Sequence, residues 1–178
     1  MPISRADAAR AERAIAPRSL PGLDEALIRR VVARFYAAAR EDDLIGPIFR
    51  RVVPDEHWQN HLDTIADFWS SSFLGTRRYG GRPMPKHLAI PELDDAHFRR
   101  WLALFRLTVE ETCPPTVASA FIERSERIAN SFRINIKMRR GEDILHLEPL
   151  EREEPDEHGH GRGNARDDAG GRPSDDPD

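Results

Sequence analysis

The amino-acid sequence predicts an all-α fold, and three observations lead to that prediction. Apolar residues recur at spacings of three and four over residues 23–141, which is the period of one face of a helix. Aspartates that can cap helices, and glycines or prolines that end them, separate these periodic stretches. No stretch alternates apolar and polar residues in the way that a half-buried strand does.

A first helix is expected to begin after Asp24, whose carboxylate can accept hydrogen bonds from the unpaired N–H groups of a first turn. One face of this helix holds Leu27, Ile28, Val31, Val32, Phe35, Tyr36 and Ala39. Gly46-Pro47 is expected to break the helix and to lead into a short turn that carries Ile48 and Phe49.

A second helix is expected to be capped by Asp55, after Pro54, and to end at Gly75. Its apolar face holds Trp58, His61, Leu62, Ile65, Phe68, Trp69 and Phe73. Residues 76–91 contain three prolines and two adjacent glycines. They are therefore expected to form a loop with room for about one helical turn around His87.

A third long helix is expected after Asp94 or Asp95. Its apolar face holds Phe98, Trp101, Leu102, Phe105 and Val109. Pro114-Pro115 is expected to end this helix and to start a fourth, because a helix tolerates proline in its first turn. The apolar face of the fourth helix holds Val117, Phe121, Ile122, Ser125, Ile128, Phe132 and Ile136.

Charge is distributed unevenly along the 178 residues and indicates the domain limits. Residues 142–178 hold 13 Asp and Glu against 4 Arg, a formal charge of −9, whereas the whole chain carries −4, which leaves +5 for residues 1–141. Such a tail buries too little apolar surface to offset its chain entropy. We therefore expect a basic N-terminal extension over 1–22, a helical domain over 23–141 and an acidic disordered tail over 142–178.

Composition limits the classes of function. No apolar run approaches the roughly 18 residues that span a bilayer, so no membrane association is expected. The positive charge of the domain is modest and an acidic tail would repel phosphate, so no nucleic-acid partner is expected. The single cysteine, Cys113, excludes an intramolecular disulfide framework, and a cytoplasmic location is the default expectation.

Four residues with polar tips interrupt otherwise apolar stretches: Tyr36, His61, His87 and Trp101. A protein interior accepts such groups only where their donors and acceptors find partners. Two histidines, a phenol and an indole around one cavity suggest that a ligand is the missing partner. The alternative is that each is a core or surface residue whose polar atom is satisfied by a neighbour or by water.

His87 is flanked by Pro83, Pro85 and Pro91, which restrict the backbone around it. Such rigidity suits an axial iron ligand. That ligand must be a neutral imidazole whose second nitrogen is hydrogen-bonded to a nearby acceptor. An ordinary loop histidine is the alternative.

Two histidine pairs have spacings that metal sites use. His57 and His61 lie four residues apart on a predicted helix, but Trp58 stands where a zincin motif has glutamate, so a catalytic zinc site is not expected. In the tail, His158 and His160 can be interpreted as a loose metal site or as part of a solvated segment.

The order of these residues resembles that of the truncated haemoglobins, and several short motifs narrow the resemblance to group III. The motifs are Phe35-Tyr36, Leu44-Ile45-Gly46-Pro47-Ile48-Phe49, Trp58-x-x-His61, Phe68-Trp69-Ser70-Ser71, Leu74-Gly75-Thr76, Tyr79-x-Gly81-x-Pro83-Met84, Lys86-His87-Leu88-x-Ile90-Pro91 and His97-Phe98-x-x-Trp101-Leu102-x-Leu104-Phe105. The resemblance covers residues 23–141, and it is specific because separate motifs occur in the same order.

The resemblance implies a truncated globin fold, a two-over-two helical sandwich around haem b. It implies that His87 is the proximal iron ligand, and that Phe49 and Ile65 pack against the haem or its ligand. The residues implied on the distal side are Tyr36, His61 and Trp101. A cluster of basic residues just before His87 is expected to pair with the haem propionates, and a solvated basic loop is the alternative. The cluster consists of Arg77, Arg78, Arg82 and Lys86.

For function, the resemblance implies reversible binding of O₂, and of NO or CO, at a pentacoordinate ferrous iron. Hydrogen bonds from the distal donors are expected to slow O₂ release, which suits reactive oxygen or nitrogen chemistry better than bulk oxygen transport. The same pocket is compatible with a redox enzyme, an NO dioxygenase or a peroxidase-like protein, served by a reductase. A haem-free helical interaction module is the remaining alternative.

Overall fold

Six helices account for most of residues 20–147 and 149–150, the part of the chain that a computed structural model describes. They are α1 (Glu25–Glu41), α2 (Gly46–Val52), α3 (Asp55–Leu74), α4 (Pro83–Leu88), α5 (Asp95–Thr112) and α6 (Pro115–Arg140). The described residues contain no strand, so the all-α prediction is confirmed.

The four long helices form two layers. One layer consists of α1 packed against α3, and the other of α5 packed against α6. The layers meet where α1 contacts α5. The two short helices lie at the edges, α2 against α1 and α4 against α6. Fully buried side chains at the centre include Ile28, Val31, Phe35, Phe105, Val109, Val117 and Phe121. Burial of each such side chain contributes about 1.5–3 kcal/mol, so this apolar core stabilises the arrangement.

Several predicted helix ends are confirmed. Asp24 caps α1, because its Oδ1 accepts a hydrogen bond from the Leu27 N–H at 2.7 Å. Of the two aspartates that could cap α5 it is Asp94 that does so, through bonds from two backbone N–H groups at 3.0 and 3.2 Å. Gly75 ends α3 at a φ of 69°, a left-handed conformation that glycine adopts without strain. Pro115 begins α6 as expected.

The predicted role of Gly46-Pro47 is wrong. Helix α1 already ends at Glu41, because Asp42 adopts extended backbone and its Oδ1 accepts hydrogen bonds from the next N–H groups, those of Leu44 and Ile45, at 3.0 Å each. Gly46 and Pro47 instead begin α2, so the short turn expected around Phe49 is a helix of seven residues. A Cβ at position 46 would lie 2.5 Å from the Arg40 carbonyl oxygen, which explains why glycine occupies it.

Two further boundaries differ from expectation. Asp55 does not cap α3; Pro54 occupies the cap position and Asp55 lies in the first turn, where its negative charge still interacts favourably with the helix dipole. The turn expected around His87 is a six-residue helix that starts at Pro83, since prolines suit the first turn of a helix.

Residues near both expected domain limits contact the helical unit. Leu20 and Leu23 pack against the main core before α1. After α6, Leu150 packs against a second apolar cluster formed by Ile48, Leu93, Phe98, Ala129 and Ile136. The helices of the described residues include none that combines the length and the apolarity needed to cross a membrane.

A buried ion pair joins α5 to α6. Arg133 is 4% exposed, and its guanidinium donates to both carboxylate oxygens of Asp95 at 2.9 and 2.8 Å. Burial raises the pKa of Asp95, but the hydrogen bonds and positive charges of Arg133 and Lys137 outweigh burial and hold this pKa below its ordinary value. The carboxylate is therefore charged at neutral pH and stabilises the folded state.

We expect Asp95→Asn to lower the free energy of unfolding by about 3 kcal/mol, because it removes the negative charge that faces a buried guanidinium. Since the pKa of Asp95 is lowered in the folded state, its contribution is present at neutral pH and is lost as the pH falls below 3.8. Urea unfolding monitored by circular dichroism measures both effects. Glu123→Gln, which breaks an exposed pair with Arg127 on α6, is the matched control and should cost less than about 1 kcal/mol. Equal losses in the two variants would contradict the role of burial.

Candidate functional site

His87 is held by the backbone of its own short helix, α4. Its Nδ1 lies 2.8 Å from the carbonyl oxygen of Pro83. A carbonyl can only accept, so Nδ1 carries the hydrogen and donates it, and the neutral ring is left with a lone pair on Nε2. The ring also packs on Phe132 of α6, with ring centres 4.3 Å apart. The arrangement leaves one imidazole nitrogen of known protonation available to a ligand.

The protonation state of His87 follows from its surroundings. Burial lowers the pKa of His87, the hydrogen bond to Pro83 raises it, and the positive charge of Lys86 lowers it. The net direction is downward from 6.5, so the imidazole is predominantly neutral at pH 7. A metal ligand must be neutral imidazole, and this residue meets that requirement.

His61 belongs to a cluster of aromatic rings contributed by α1, α2 and α3. The Tyr36 ring meets His61 edge-on with centres 5.4 Å apart, and Trp58 stacks on His61 at 5.8 Å with an angle of 26° between the planes. Phe49 contacts Tyr36 at 5.6 Å and Trp58 at 6.5 Å. The structure therefore brings together three of the residues predicted for the site, Tyr36, His61 and Phe49.

The Nε2 atom of His61 is buried without a hydrogen-bond partner. Among the described residues only one other buried side-chain polar atom, Oγ1 of Thr112, shares this property. An unpaired buried polar atom costs about 1–3 kcal/mol, so a chain keeps one only where something compensates. A ligand beside His61 would satisfy Nε2, and on this observation the residues present fit a bound cofactor that carries a small ligand.

The charge environment places His61 near the α4 helix. Burial lowers the pKa of His61 first, and electrostatic interactions with Lys86 and His87 lower it further. The effect of His87 on the pKa of His61 shows that these two histidines, which lie on different helices, are near each other.

Tyr36 and Trp101 differ in how directly they meet this cluster. Tyr36 is 6% exposed, and burial raises the pKa of its phenol, so the hydroxyl stays protonated and can donate a hydrogen bond. Trp101 is half-buried, stacks on Phe105 with centres 5.0 Å apart and meets Phe35 edge-on at 5.2 Å. Since Phe35 also contacts Tyr36 at 4.8 Å, it links Trp101 to the cluster.

Half-buried apolar side chains accompany these residues. Ile65 follows His61 by four residues on α3, and it packs against the main core while remaining partly exposed. Other partly exposed apolar side chains that pack against the main core are Phe49, Trp58, Leu62, Phe68, Trp101, Leu104 and Ile128. Such a set can cover a flat apolar ligand, because ligand pockets are lined predominantly by apolar and aromatic residues.

The basic residues before His87 fall into two groups. Arg78 donates to Asp67 at 2.7 Å, to Glu25 at 2.8 Å and to Ser70 at 3.0 Å, so it ties the loop after α3 to α1 and α3. The second group consists of Arg77, Arg82 and Lys86, which are exposed like Arg78.

Some contacts at the site were not predicted from the sequence. The sequence places Trp58 on a helix face and in the motif Trp58-x-x-His61 but predicts no role for it at the site, although its position three residues before His61 was the available signal. Phe132 comes from another helix, and no local pattern indicates its contact with His87. His57 is exposed, and the described residues include no group of three His, Cys, Asp or Glu side chains that could hold a metal ion. His158 and His160 lie outside the described residues.

We expect the ligand-free protein to lose stability as the pH falls below 6.5. The pKa values of His61 and His87 are lowered in the folded state, so the unfolded chain takes up protons first and unfolding becomes more favourable in acid. His61→Leu should reduce the slope of the free energy of unfolding between pH 7 and 5. His57→Gln, which alters an exposed histidine of the same helix, is the matched control. An identical slope in the unaltered protein, His61→Leu and His57→Gln would contradict the assignment of this pH dependence to His61.

Comparison with known proteins identifies the family. The model of the bacterial-like globin family matches residues 20–133. The Group 3 truncated hemoglobin ctb of Campylobacter jejuni is 30% identical over 113 residues, which cover 62% of this chain and 89% of that protein. The crystal structure of the group III truncated hemoglobin from Campylobacter jejuni superposes with a TM-score of 0.62 at 28% identity, over 66% of this chain and 94% of that one. The predicted truncated globin fold is thus confirmed, and the chain belongs to the bacterial-like globin family as a haem-binding globin of the group III truncated haemoglobin type.

Proposed function

We propose that this protein binds haem b through Nε2 of His87 and reversibly binds a small gas, O₂, NO or CO. The observation that carries the proposal is the hydrogen bond from Nδ1 of His87 to the Pro83 carbonyl. This bond selects the tautomer with a free Nε2 and orients the ring, as the outer partner of a metal-bound histidine does. When bound, haem supplies an iron atom with an open coordination position for a diatomic gas.

Tyr36, His61 and Trp101 are proposed to donate hydrogen bonds to the gas. A diatomic ligand that carries partial negative charge accepts from the protonated Tyr36 hydroxyl, and the unpaired Nε2 of His61 gains a partner. Each such bond is worth about 1–3 kcal/mol in a dry site, or roughly 5- to 150-fold in a dissociation rate. Slow release of O₂ suits chemistry on the ligand better than bulk oxygen delivery.

The remaining roles complete the proposed site. Phe49 and Ile65 supply apolar contacts to the haem or its ligand, consistent with their partial burial. Arg82 and Lys86 are proposed to pair with the haem propionates, which their exposure and their position beside His87 permit. A cytoplasmic reductase is the proposed partner that keeps the iron ferrous.

We expect His87→Ala to abolish the haem absorbance spectrum of the purified protein, because it removes the proposed iron ligand. Added imidazole should restore the spectrum in part, since it can replace the missing side chain. His57→Ala, which removes an exposed histidine of α3, is the control and should leave the spectrum unchanged. An unaltered Soret band in His87→Ala would contradict the proposed coordination.

We expect Tyr36→Phe to raise the O₂ dissociation rate by roughly 5- to 150-fold, the effect of losing one hydrogen bond in a dry site. Stopped-flow displacement of O₂ by CO measures this rate. The chain contains one other tyrosine, Tyr79, whose ring packs on Phe68. Tyr79→Phe is therefore the matched control and should leave the rate unchanged. A rate in Tyr36→Phe that equals the rate of the control would remove the phenol from the proposed donor set.

A further inference from the structure

We propose that Trp58 and Arg40 are positioning residues that hold the imidazole of His61 in one orientation. The Arg40 guanidinium lies over the Trp58 ring, with Cζ 4.4 Å from the ring centre. Trp58 in turn stacks on His61 with centres 5.8 Å apart. Three side chains from two helices thus form a continuous stack from the guanidinium to the imidazole.

His61 depends on ring packing because hydrogen bonds do not hold it. Its Nε2 has no partner, and no hydrogen bond contributes to the shift of its pKa. Trp58 covers a face of the ring and Tyr36 meets it edge-on at 84°. Tyr36 is buried in the core, so Trp58 is the neighbour with freedom to move.

Arg40 restricts Trp58 from the outside. Its guanidinium pairs with Asp55 in the first turn of α3, and its carbonyl oxygen accepts a hydrogen bond from Nη1 of Arg50. The side chain of Arg40 is only 20% exposed, so the contact with the indole is partly shielded from water. Tryptophan is the aromatic side chain that attracts a cation over its face most strongly, and arginine is the cation found there most often.

The positions of these residues on α1 and α3 couple the orientation of Arg40 to that of His61. Tyr36 and Arg40 lie four residues apart on α1, and Trp58 and His61 lie three apart on α3, so each pair occupies one helix face. The two faces pack against each other through α1 and α3. Movement of Arg40 therefore changes the space available to Trp58, and through it the orientation of His61.

The functional consequence rests on the proposed function, since it requires a gas beside His61. If Trp58 and Arg40 hold the ring, they determine how often Nε2 faces that ligand. Loss of the cation–π contact should shift the equilibrium between the held and displaced orientations of His61 by roughly 2- to 30-fold.

Nuclear magnetic resonance of the full chain without added gas tests the positioning itself. The Cε1 proton of His61 should carry a ring-current shift from Trp58 and Tyr36, and Arg40→Gln should reduce this shift because the stack loosens. Arg29→Gln is the matched control, since Arg29 also joins α1 to α3 through Asp63, at 3.1 Å, but makes no contact with Trp58. An unchanged His61 resonance in Arg40→Gln would overturn the proposal. The measurement needs no bound gas, so it remains decisive even if the proposed function fails.

Infrared spectroscopy of the CO complex tests the consequence. The CO stretching band should broaden or split in Trp58→Leu and in Arg40→Gln but not in Arg29→Gln. In a His61→Leu background the first two substitutions should add no further change, because they act through His61. A change of the same size in that background would show that Trp58 acts on the ligand directly and would overturn the positioning role. If Trp58→Leu does not fold, the same comparison with Arg40→Gln decides the question.

Discussion

The hydrogen bond from the His87 ring to the Pro83 carbonyl is the interaction on which the candidate site depends. It is local, since both groups belong to the six-residue helix α4. Prolines at the start of that helix limit its backbone, so little conformational entropy is left to lose when the ring is oriented. Packing of the ring on Phe132 then attaches α4 to the long helix α6. One backbone carbonyl thus determines both the tautomer of the imidazole and the direction of its free nitrogen.

The side of the site around His61 is held by contacts between rings and not by hydrogen bonds. Around His61 the chain uses ring contacts and leaves a buried nitrogen unpaired, which lowers the stability of the ligand-free protein. The apolar core beneath, where Phe35, Phe105 and Phe121 are fully buried, offsets this cost. Polar groups that the core itself needs, such as Arg133, are instead paired with good geometry. The unpaired nitrogen of His61 therefore lies where the proposed ligand would bind.

Much of the fold was predictable because its determinants are local. The buried face of a helix follows from the spacing of its apolar residues. Capping residues such as Asp24 and Gly75 act on backbone groups within one turn of their own position. Gly46-Pro47 misled the prediction because the pair is compatible with both a helix break and a helix start, and the close approach of the Arg40 carbonyl, a tertiary contact, is what requires glycine there. Positions 36, 61, 87 and 101 were predicted as site residues from their polar tips in apolar stretches and from motifs, whereas the contact between His87 and Phe132 depends on how α4 crosses α6.

The contrast between the two histidines has a mechanical consequence. A hydrogen bond to the backbone is directional, so His87 cannot turn without breaking it and leaving a buried N–H unpaired. Ring stacking has a shallow dependence on angle, so His61 can turn at smaller cost, and its freedom is set by the neighbours that confine it. Under the proposed function, in which His87 is the iron ligand and His61 lies beside the gas, this division places rigidity on one side of the site and adjustable packing on the other. The identity of the side chains that confine His61, rather than that of His61 alone, would then tune access to the site.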